Sequence, residues 1–293
     1  MQENNFAGRN YDTISPSAKW VLLMKGHTTI PFARQTVELI EYPEKFVPDF
    51  EKTDVGFWGR TAHFEHRYLS IDQLLSDIPV HNIMELSSGY SFRGLDFTLR
   101  KNVHYIDTDL PDMIAQKKEL IKQLEKNKPG RKGKLELLPL NALDEKAFKE
   151  IIQHFEEGPV TIVNEGLLIY LTREEKERLC QIIYDVLKER GGYWITGDIY
   201  LKVAGFRLVD SNLDEKTKKF FEEHNVEANR FESFEEAEAL FKRMGFVIDK
   251  EANVDFAILS SFPYVSKNAK PEDYEKMKKV GKIHTIWRLR VAG

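Results

Sequence analysis

From Ser15 onward, apolar positions recur at helical spacing. Ser15 reads as an N-cap with Pro16 at the first helical position, followed by AKWVLLMKG and a stop at Gly26. A second helix is predicted over Pro31–Leu39, and a third from near Thr61 through HFEHRYLSIDQLL. After Pro79 the pattern changes to short apolar runs alternating with amphipathic stretches. The runs are NIMEL (82–86), VHYID (103–107), LELLPL (135–140), VTIVNEG (160–166) and YWITGDI (193–199), with helical spacing near 91–100, 111–126, 144–156 and 172–190 between them. Strands without a polar face, separated by helices, predict a parallel sheet covered on both sides. A charged helical region follows at 213–244, with strand candidates at Phe246–Ile248, FAILSS (256–261) and HTIWRLRV (284–291) that suggest a terminal hairpin. The polar segments 127–134 and 267–282 read as solvated turns.

Composition narrows the class. With 42% hydrophobic and 31% charged residues over 293 positions, the chain is globular, and a net charge of −4 gives no general pull toward a phosphate backbone. No nucleic-acid or membrane partner is expected: no apolar run approaches the roughly 20 residues of a bilayer span, and the first residues do not read as a secretory signal. A cytoplasmic protein is the expectation. The single cysteine, Cys180, rules out an internal disulfide or a cysteine metal cluster and reads as a packing residue.

In an open α/β sheet, ligands collect beyond the carboxyl ends of the strands. The first strand runs through Glu85 into Ser87-Ser88-Gly89, small residues that allow close approach to a ligand, although any tight turn has this look. Asp109 ends the second strand twenty residues after Gly89, placed for ribose hydroxyls or as a cap on the helix at Pro111. Asn141-Ala142 follows the third strand; the amide offers a donor and an acceptor to an adenine edge, and capping of the helix near Asp144 explains it equally well. Glu165 ends the fourth strand, where an unpaired buried carboxylate would be expensive. The first turn reads S-x-G-x-x-x-x-G and not the G-x-G-x-x-G of a dinucleotide site. A nucleoside cofactor without a pyrophosphate suits it better.

ELSSGYSFRG, VHYIDTDLPDMIAQKKELI and VTIVNEGLLIYLTREEKERL, in this order, resemble the leucine carboxyl methyltransferase family and its bacterial relatives described as polyketide O-methyltransferases. The resemblance runs from about Ser15 to Trp194. It implies a Rossmann-like class I fold: a doubly wound, mostly parallel seven-stranded sheet with an N-terminal helical extension and a C-terminal antiparallel hairpin. It also implies a division into a helical cap over 1–78 that helps build the cofactor site and a catalytic domain over 79–293, with an acceptor-binding lid at about 200–230 that takes in Lys202, Gly205 and Arg207. The cofactor it implies is S-adenosylmethionine and the partner a small-molecule methyl acceptor. By resemblance, the Ser87–Gly89 turn lies against the methionine part, Asp109 holds the ribose, Asn141 and Ala142 flank the adenine, and Glu165 lies nearby. Arg60, and more loosely Lys19, would pair with the cofactor carboxylate. Ser87 stands where the family usually has glycine, and Ser91 where it has an acidic residue.

The expected reaction is methyl transfer to a carboxylate or hydroxyl of a small molecule. A carboxylate acceptor needs only cations to orient it, whereas a hydroxyl needs a base within reach. Tyr170, Tyr200, His63 and His66 are the candidates near the methyl position, each with a plain alternative. Tyr170 suits a pocket wall; His63 and His66, three apart on one helical face, could bind metal, but without carboxylate partners such a pair is more often a polar stretch of helix surface. Two other readings stand beside this one: a protein carboxyl methyltransferase, and a non-catalytic cofactor-binding scaffold suggested by Ser87 and Ser91.

Overall fold

The computed structural model describes residues 15–40, 47–126, 130–202 and 225–293. Three helices come first: α1 (Ser15–Lys25), α2 (Ala33–Leu39) and α3 (Val55–Ser76). The sheet then begins, with β1 (Asn82–Leu86), α4 (Arg93–Arg100), β2 (His104–Asp109), α5 (Pro111–Glu125), β3 (Lys134–Pro139), α6 (Glu145–Ile152), β4 (Val160–Asn164), α7 (Arg173–Arg190) and β5 (Gly192–Tyr200). The C-terminal part adds α8 (Phe234–Arg243), β6 (Phe246–Glu251), α9 (Phe262–Asn268), α10 (Pro271–Val280) and β7 (His284–Val291).

The seven strands lie in the order β3-β2-β1-β4-β5-β7-β6. The first five pair in parallel, and β7 runs antiparallel to both β5 and β6. This is the doubly wound sheet with its antiparallel end, a Rossmann-like methyltransferase architecture. Alternation along each strand divides the core. Ile83, Tyr105, Val163 and Ile195 face α1–α5, while Met84, Ile106, Ile162 and Trp194 face α6–α8. Both faces are covered, so the central strands are mostly apolar, as the runs in the sequence imply. Chain order reverses between β1 and β4, and there the carboxyl ends open a crevice.

Several boundaries differ from the sequence reading. The third helix begins at Val55, two turns before Thr61, because the Asp54 carboxylate accepts the Phe57 N–H at 3.1 Å. The segment FAILSS is not a strand: Phe256–Ile258 is a single helical turn, started by the Asp255 carboxylate accepting the Ala257 N–H, and Pro263 sits in the first turn of α9. Within 267–282, residues Pro271–Val280 form α10 and not a turn; acids fill its first turn and lysines its last, which suits the helix dipole. Of the charged region at 213–244, the stretch to 224 and most of the expected lid, Gly205 and Arg207 included, lie outside the described residues; Lys202 is described and exposed. No helix among the described residues is long and apolar enough to cross a membrane.

The N-terminal helices are placed by α3. Phe64, Tyr68, Ile71 and Leu75 recur at helical spacing and are all buried. That stripe lies across β5 at Gly197, where a Cβ would come within 3.1 Å of Ile71 and 3.3 Å of Arg67. The bare glycine lets the Arg67 stem lie flat on the strand and carry its guanidinium to the crevice.

Candidate functional site

The crevice holds a cavity of about 370 Å³, within the usual range for small-molecule sites of roughly 300–1,000 Å³. One face of α1 forms part of its wall through Ser17, Ala18, Val21, Leu22 and Lys25, and α3 adds Phe64 and Arg67. The strand ends supply Ser87–Gly89, Asp109, Asn141–Ala142, Glu165 and Tyr200.

The first turn is held from within. Ser87 and Gly89 both adopt left-handed backbone, with φ of 48° and 47°. Glycine takes this conformation freely, whereas serine is strained by it. The Ser88 N–H donates to Thr108 O at 2.9 Å, the Gly89 N–H to Asp109 Oδ2 at 2.7 Å, and the Ser91 N–H to Ser88 O at 2.8 Å. These amides are engaged inside the protein, so the turn offers them to no phosphate. Asp109 also accepts the Leu110 N–H at 2.7 Å. Burial pushes the Asp109 pKa up, and the two N–H donors oppose that rise. Below the turn, Lys117 Nζ donates to the Ser88 hydroxyl at 2.8 Å and lies 2.9 Å from the fully buried Asp107 carboxylate.

Deeper in the crevice lies a compact ion cluster. Glu165 Oε1 meets Lys25 Nζ at 2.5 Å and Arg67 at 3.1 Å, and its Oε2 accepts from Arg93 at 3.0 Å. Arg93 also reaches Glu85 at 2.6 Å and Asp72 at 2.7 Å, and it stacks on the Tyr68 ring at 4.1 Å. Three cations face three carboxylates, so the cluster is neutral, as burial demands. Burial raises the Glu165 pKa, but Lys25, Arg67 and Arg93 outweigh it and hold the carboxyl well below the usual range. For Lys25 burial dominates and lowers its pKa in spite of Glu165.

The loop that presents Glu165 is fixed from β5. Asp198 accepts the backbone N–H groups of Gly166, Leu167 and Leu168 at 2.6, 2.7 and 3.0 Å, together with Asn164 Nδ2 at 2.6 Å. The β5–β7 register shifts between Thr196 and Ile199, an irregularity that re-aims Asp198 and Tyr200 at the end of the strand.

Ser87, Gly89, Asp109, Asn141, Ala142 and Glu165 therefore share one cavity wall, and Tyr170 and Tyr200 join them. Asn141 does not cap α6; Asp144 does so through the Ala147 N–H, while Asn141 Oδ1 accepts the Leu143 N–H at 3.0 Å. Tyr170 donates to Ser17 at 3.0 Å and reads as wall. Lys19, Arg60, Glu85 and His63 do not line the cavity. Glu85 lies beneath it, bonded to Arg93 and to the Tyr105 hydroxyl at 2.5 Å. His63 meets the Tyr200 hydroxyl at 2.8 Å, whereas His66 turns to Val254 O at 3.1 Å and stacks on Phe256 at 4.4 Å. Among the described residues no group of three or more metal-ligating side chains occurs.

Sequence reasoning missed Lys25, Arg67 and Asp198. Helix geometry carried a signal for the first. Lys25 shares the face of Ala18 and Leu22, which Lys19 does not, and Arg67 lies on the same stripe as Arg60 but two turns, roughly 10 Å, nearer the strand ends.

Solved structures give distant likenesses. A magnesium protoporphyrin IX methyltransferase from Synechocystis PCC 6803 with bound SAH is 9% identical, with 93% of this chain and 100% of that one covered at a TM-score of 0.49. A mitomycin 7-O-methyltransferase is 12% identical, with 80% of this chain covered at a TM-score of 0.45, and this chain spans 57% of its length. A TehB-like SAM-dependent methyltransferase from Corynebacterium glutamicum ATCC 13032 is 12% identical, with 76% and 87% covered at a TM-score of 0.41. No curated protein matches the sequence. The leucine carboxyl methyltransferase family model matches residues 18–184, more than half of the 293 residues and a span that includes most of α1, all of α3 and the first four strand ends; the chain belongs to that family.

Proposed function

We propose that the cavity binds S-adenosylmethionine and that the protein transfers its methyl group to a hydroxyl or carboxylate oxygen of a small molecule. The observation that carries this reading is the ion cluster on the cavity wall, where Glu165 is shared by Lys25 and Arg67. A ligand end with one ammonium and one carboxylate can enter by exchange of partners. The two cations take its carboxylate, Glu165 takes its ammonium, and the buried charge stays balanced. The turn is a poor phosphate cradle, because the N–H groups of Ser88, Gly89 and Ser91 are already occupied.

The other contacts fit the same ligand. A carboxylate has about four lone-pair sites; Asp109 uses two on Gly89 and Leu110, which leaves capacity for ribose hydroxyls. Asn141 keeps its amide N–H groups for an adenine edge, and Ala142 and Leu143 give the base apolar contact. When bound, S-adenosylmethionine supplies a methyl group on a positively charged sulfur that leaves as a neutral thioether. The chain's part is to hold this group and its acceptor in line while Trp20, Phe64 and Tyr170 keep water out. The helices before residue 78 act as a cap that completes the site through Lys25 and Arg67, and the aromatic wall favours the small-molecule branch of the family over a protein chain terminus.

Calorimetry with S-adenosylmethionine and S-adenosylhomocysteine tests the reading. Binding of both, with a raised melting temperature, is expected. No heat and no thermal shift would remove the cofactor site and leave a non-catalytic scaffold without the cofactor in its place.

A further inference from the structure

Tyr200 ends β5 on the cavity wall, and its hydroxyl is gripped from two sides. Arg67 donates to it at 2.9 Å, and His63 Nε2 lies 2.8 Å away. A guanidinium is only ever a donor, so Arg67 takes one lone pair of the Tyr200 oxygen; in the His63 tautomer that leaves Nε2 unprotonated, the phenolic proton points to that nitrogen. One lone pair of the Tyr200 oxygen faces Arg67, and a second remains for a ligand. The ring is fixed from behind by His284, stacked at 4.1 Å, whose own Nε2 lies 2.8 Å from Gly197 O and so carries a proton. A merely structural tyrosine needs one partner; this one sits in a directed chain from the cavity to a buried imidazole.

We propose that Tyr200 is a catalytic residue that takes the proton of a hydroxyl acceptor while passing its own proton to His63, so that the acceptor is an alcohol or a phenol. The inference rests on the methyltransferase reading of the cavity. In the step, the acceptor O–H bond breaks and its proton goes to the Tyr200 oxygen. The Tyr200 proton moves to His63 Nε2, the acceptor oxygen bonds the methyl carbon, and the carbon–sulfur pair stays with sulfur. One positive charge disappears from the sulfonium as one appears on the imidazole, so the net charge of the buried site is unchanged.

The surroundings set the direction of relaxation. Burial first, then His284, Arg67, His66 and Arg230, lower the His63 pKa well below its ordinary value. Tyr200 is pushed up to about 12 by burial, with Arg67 opposing and Asp198 and Glu165 reinforcing. Free phenolate is thus scarce, and a relay through a neutral phenol is the route open to the group. The imidazolium formed in turnover sheds its proton readily. A carboxylate acceptor would bring no proton and would leave the dyad idle.

The test pairs methyl-tritiated S-adenosylmethionine with two acceptors of matched shape, naphthol and naphthoic acid. Label is expected on naphthol. Tyr200→Phe, which keeps the ring stack, should lower kcat about 100-fold or more with KM for the methyl donor unchanged. His63→Gln, which can still accept from the tyrosine but cannot take its proton, should lower kcat alike. It should also erase the acid limb of the pH profile, which lies well below the ordinary histidine range. Nitrogen NMR of histidine-labelled protein should show His63 unprotonated at Nε2, with that signal shifted in Tyr200→Phe. Label on naphthoic acid alone, full turnover of naphthol by Tyr200→Phe, or a proton on His63 Nε2 overturns the relay. Calorimetry with S-adenosylhomocysteine separates the two claims: absence of binding sinks the methyltransferase reading, while the NMR result reports on the dyad alone.

Discussion

Replacing Glu165 by glutamine removes the one carboxylate that three cations share. Its side chain is only 4% exposed, and its oxygens lie 2.5, 3.1 and 3.0 Å from Lys25, Arg67 and Arg93. At an effective dielectric near 20, each contact of about 3 Å represents roughly 5 kcal/mol of attraction. Desolvation of each ion takes back several kcal/mol, so the net loss expected from stranding buried cations is about 3–5 kcal/mol. Glu165→Gln should therefore unfold at markedly lower urea concentration at neutral pH. It should bind S-adenosylhomocysteine roughly 10–150-fold more weakly through loss of a charged hydrogen bond of about 1.5–3 kcal/mol. The pH dependence has a definite sign. The cations hold the Glu165 pKa below its ordinary 4.5 in spite of burial, so its stabilisation is present above that value and fades as pH falls through the folded pKa. The gap between wild type and variant should thus narrow in acid. Lys25→Met in the same background should cost less than in wild type, because its partner is already gone. A gap under about 1 kcal/mol at neutral pH, or one that does not narrow in acid, would mean that water, not the protein, solvates this carboxylate.

Asp109→Ala takes the acceptor from Gly89 and Leu110 as well as from the ligand; S-adenosylhomocysteine should bind about 1–3 kcal/mol more weakly by calorimetry, and an unchanged affinity would remove Asp109 from the site. Ser87→Gly relieves a left-handed residue at φ 48° and should raise stability by about 0.5–1 kcal/mol in urea melts, net of the glycine's extra unfolded-state entropy; a loss would show that the serine is not strained there. Asp72 runs opposite to Glu165. Burial raises its pKa from 3.8 to about 6 despite Arg93, so its contribution is full below 3.8 and declines as pH climbs through 6. Asp72→Asn should flatten the stability–pH curve in that window, and an unaltered slope would place the carboxyl in solvent.

The sheet was readable because burial on both faces leaves a parallel strand mostly apolar, and the five runs from NIMEL to YWITGDI carry such apolar stretches, with Glu85, Asp107 and Asp198 as buried exceptions toward their carboxyl ends. The same rule misled at FAILSS. There Ile258 is 66% exposed and Phe256 45%, so the run covers no sheet, and Asp255 turns it helical instead. At 271–280 the signals were end effects: Pro271, acids in the first turn and lysines in the last. With no apolar stripe to bury, a hydrophobicity pattern could not find that helix.

The strand ends that line the cavity were legible for a related reason. A polar residue that closes an apolar run has few structural uses, and Asp109, Asn141 and Glu165 each close one. The groups that arrive from the helices were not legible. Arg60 and Arg67 are equally polar and lie on one stripe of α3, and only the angle at which that helix crosses β5 over Gly197 decides which of them reaches Glu165. Crossing angles come from side-chain packing between distant segments and leave no trace in local spacing. Lys25 and Lys19 differ instead in the face of α1 that they occupy. The charge count of the finished site enforces the outcome. With Glu85 and Glu165 buried and Asp72 partly buried beside them, three cations join them, and Arg93 alone comes from the neighbouring strand–helix turn. The other two are delivered by the N-terminal helices, which makes docking of those helices and assembly of the charged cavity wall a single event.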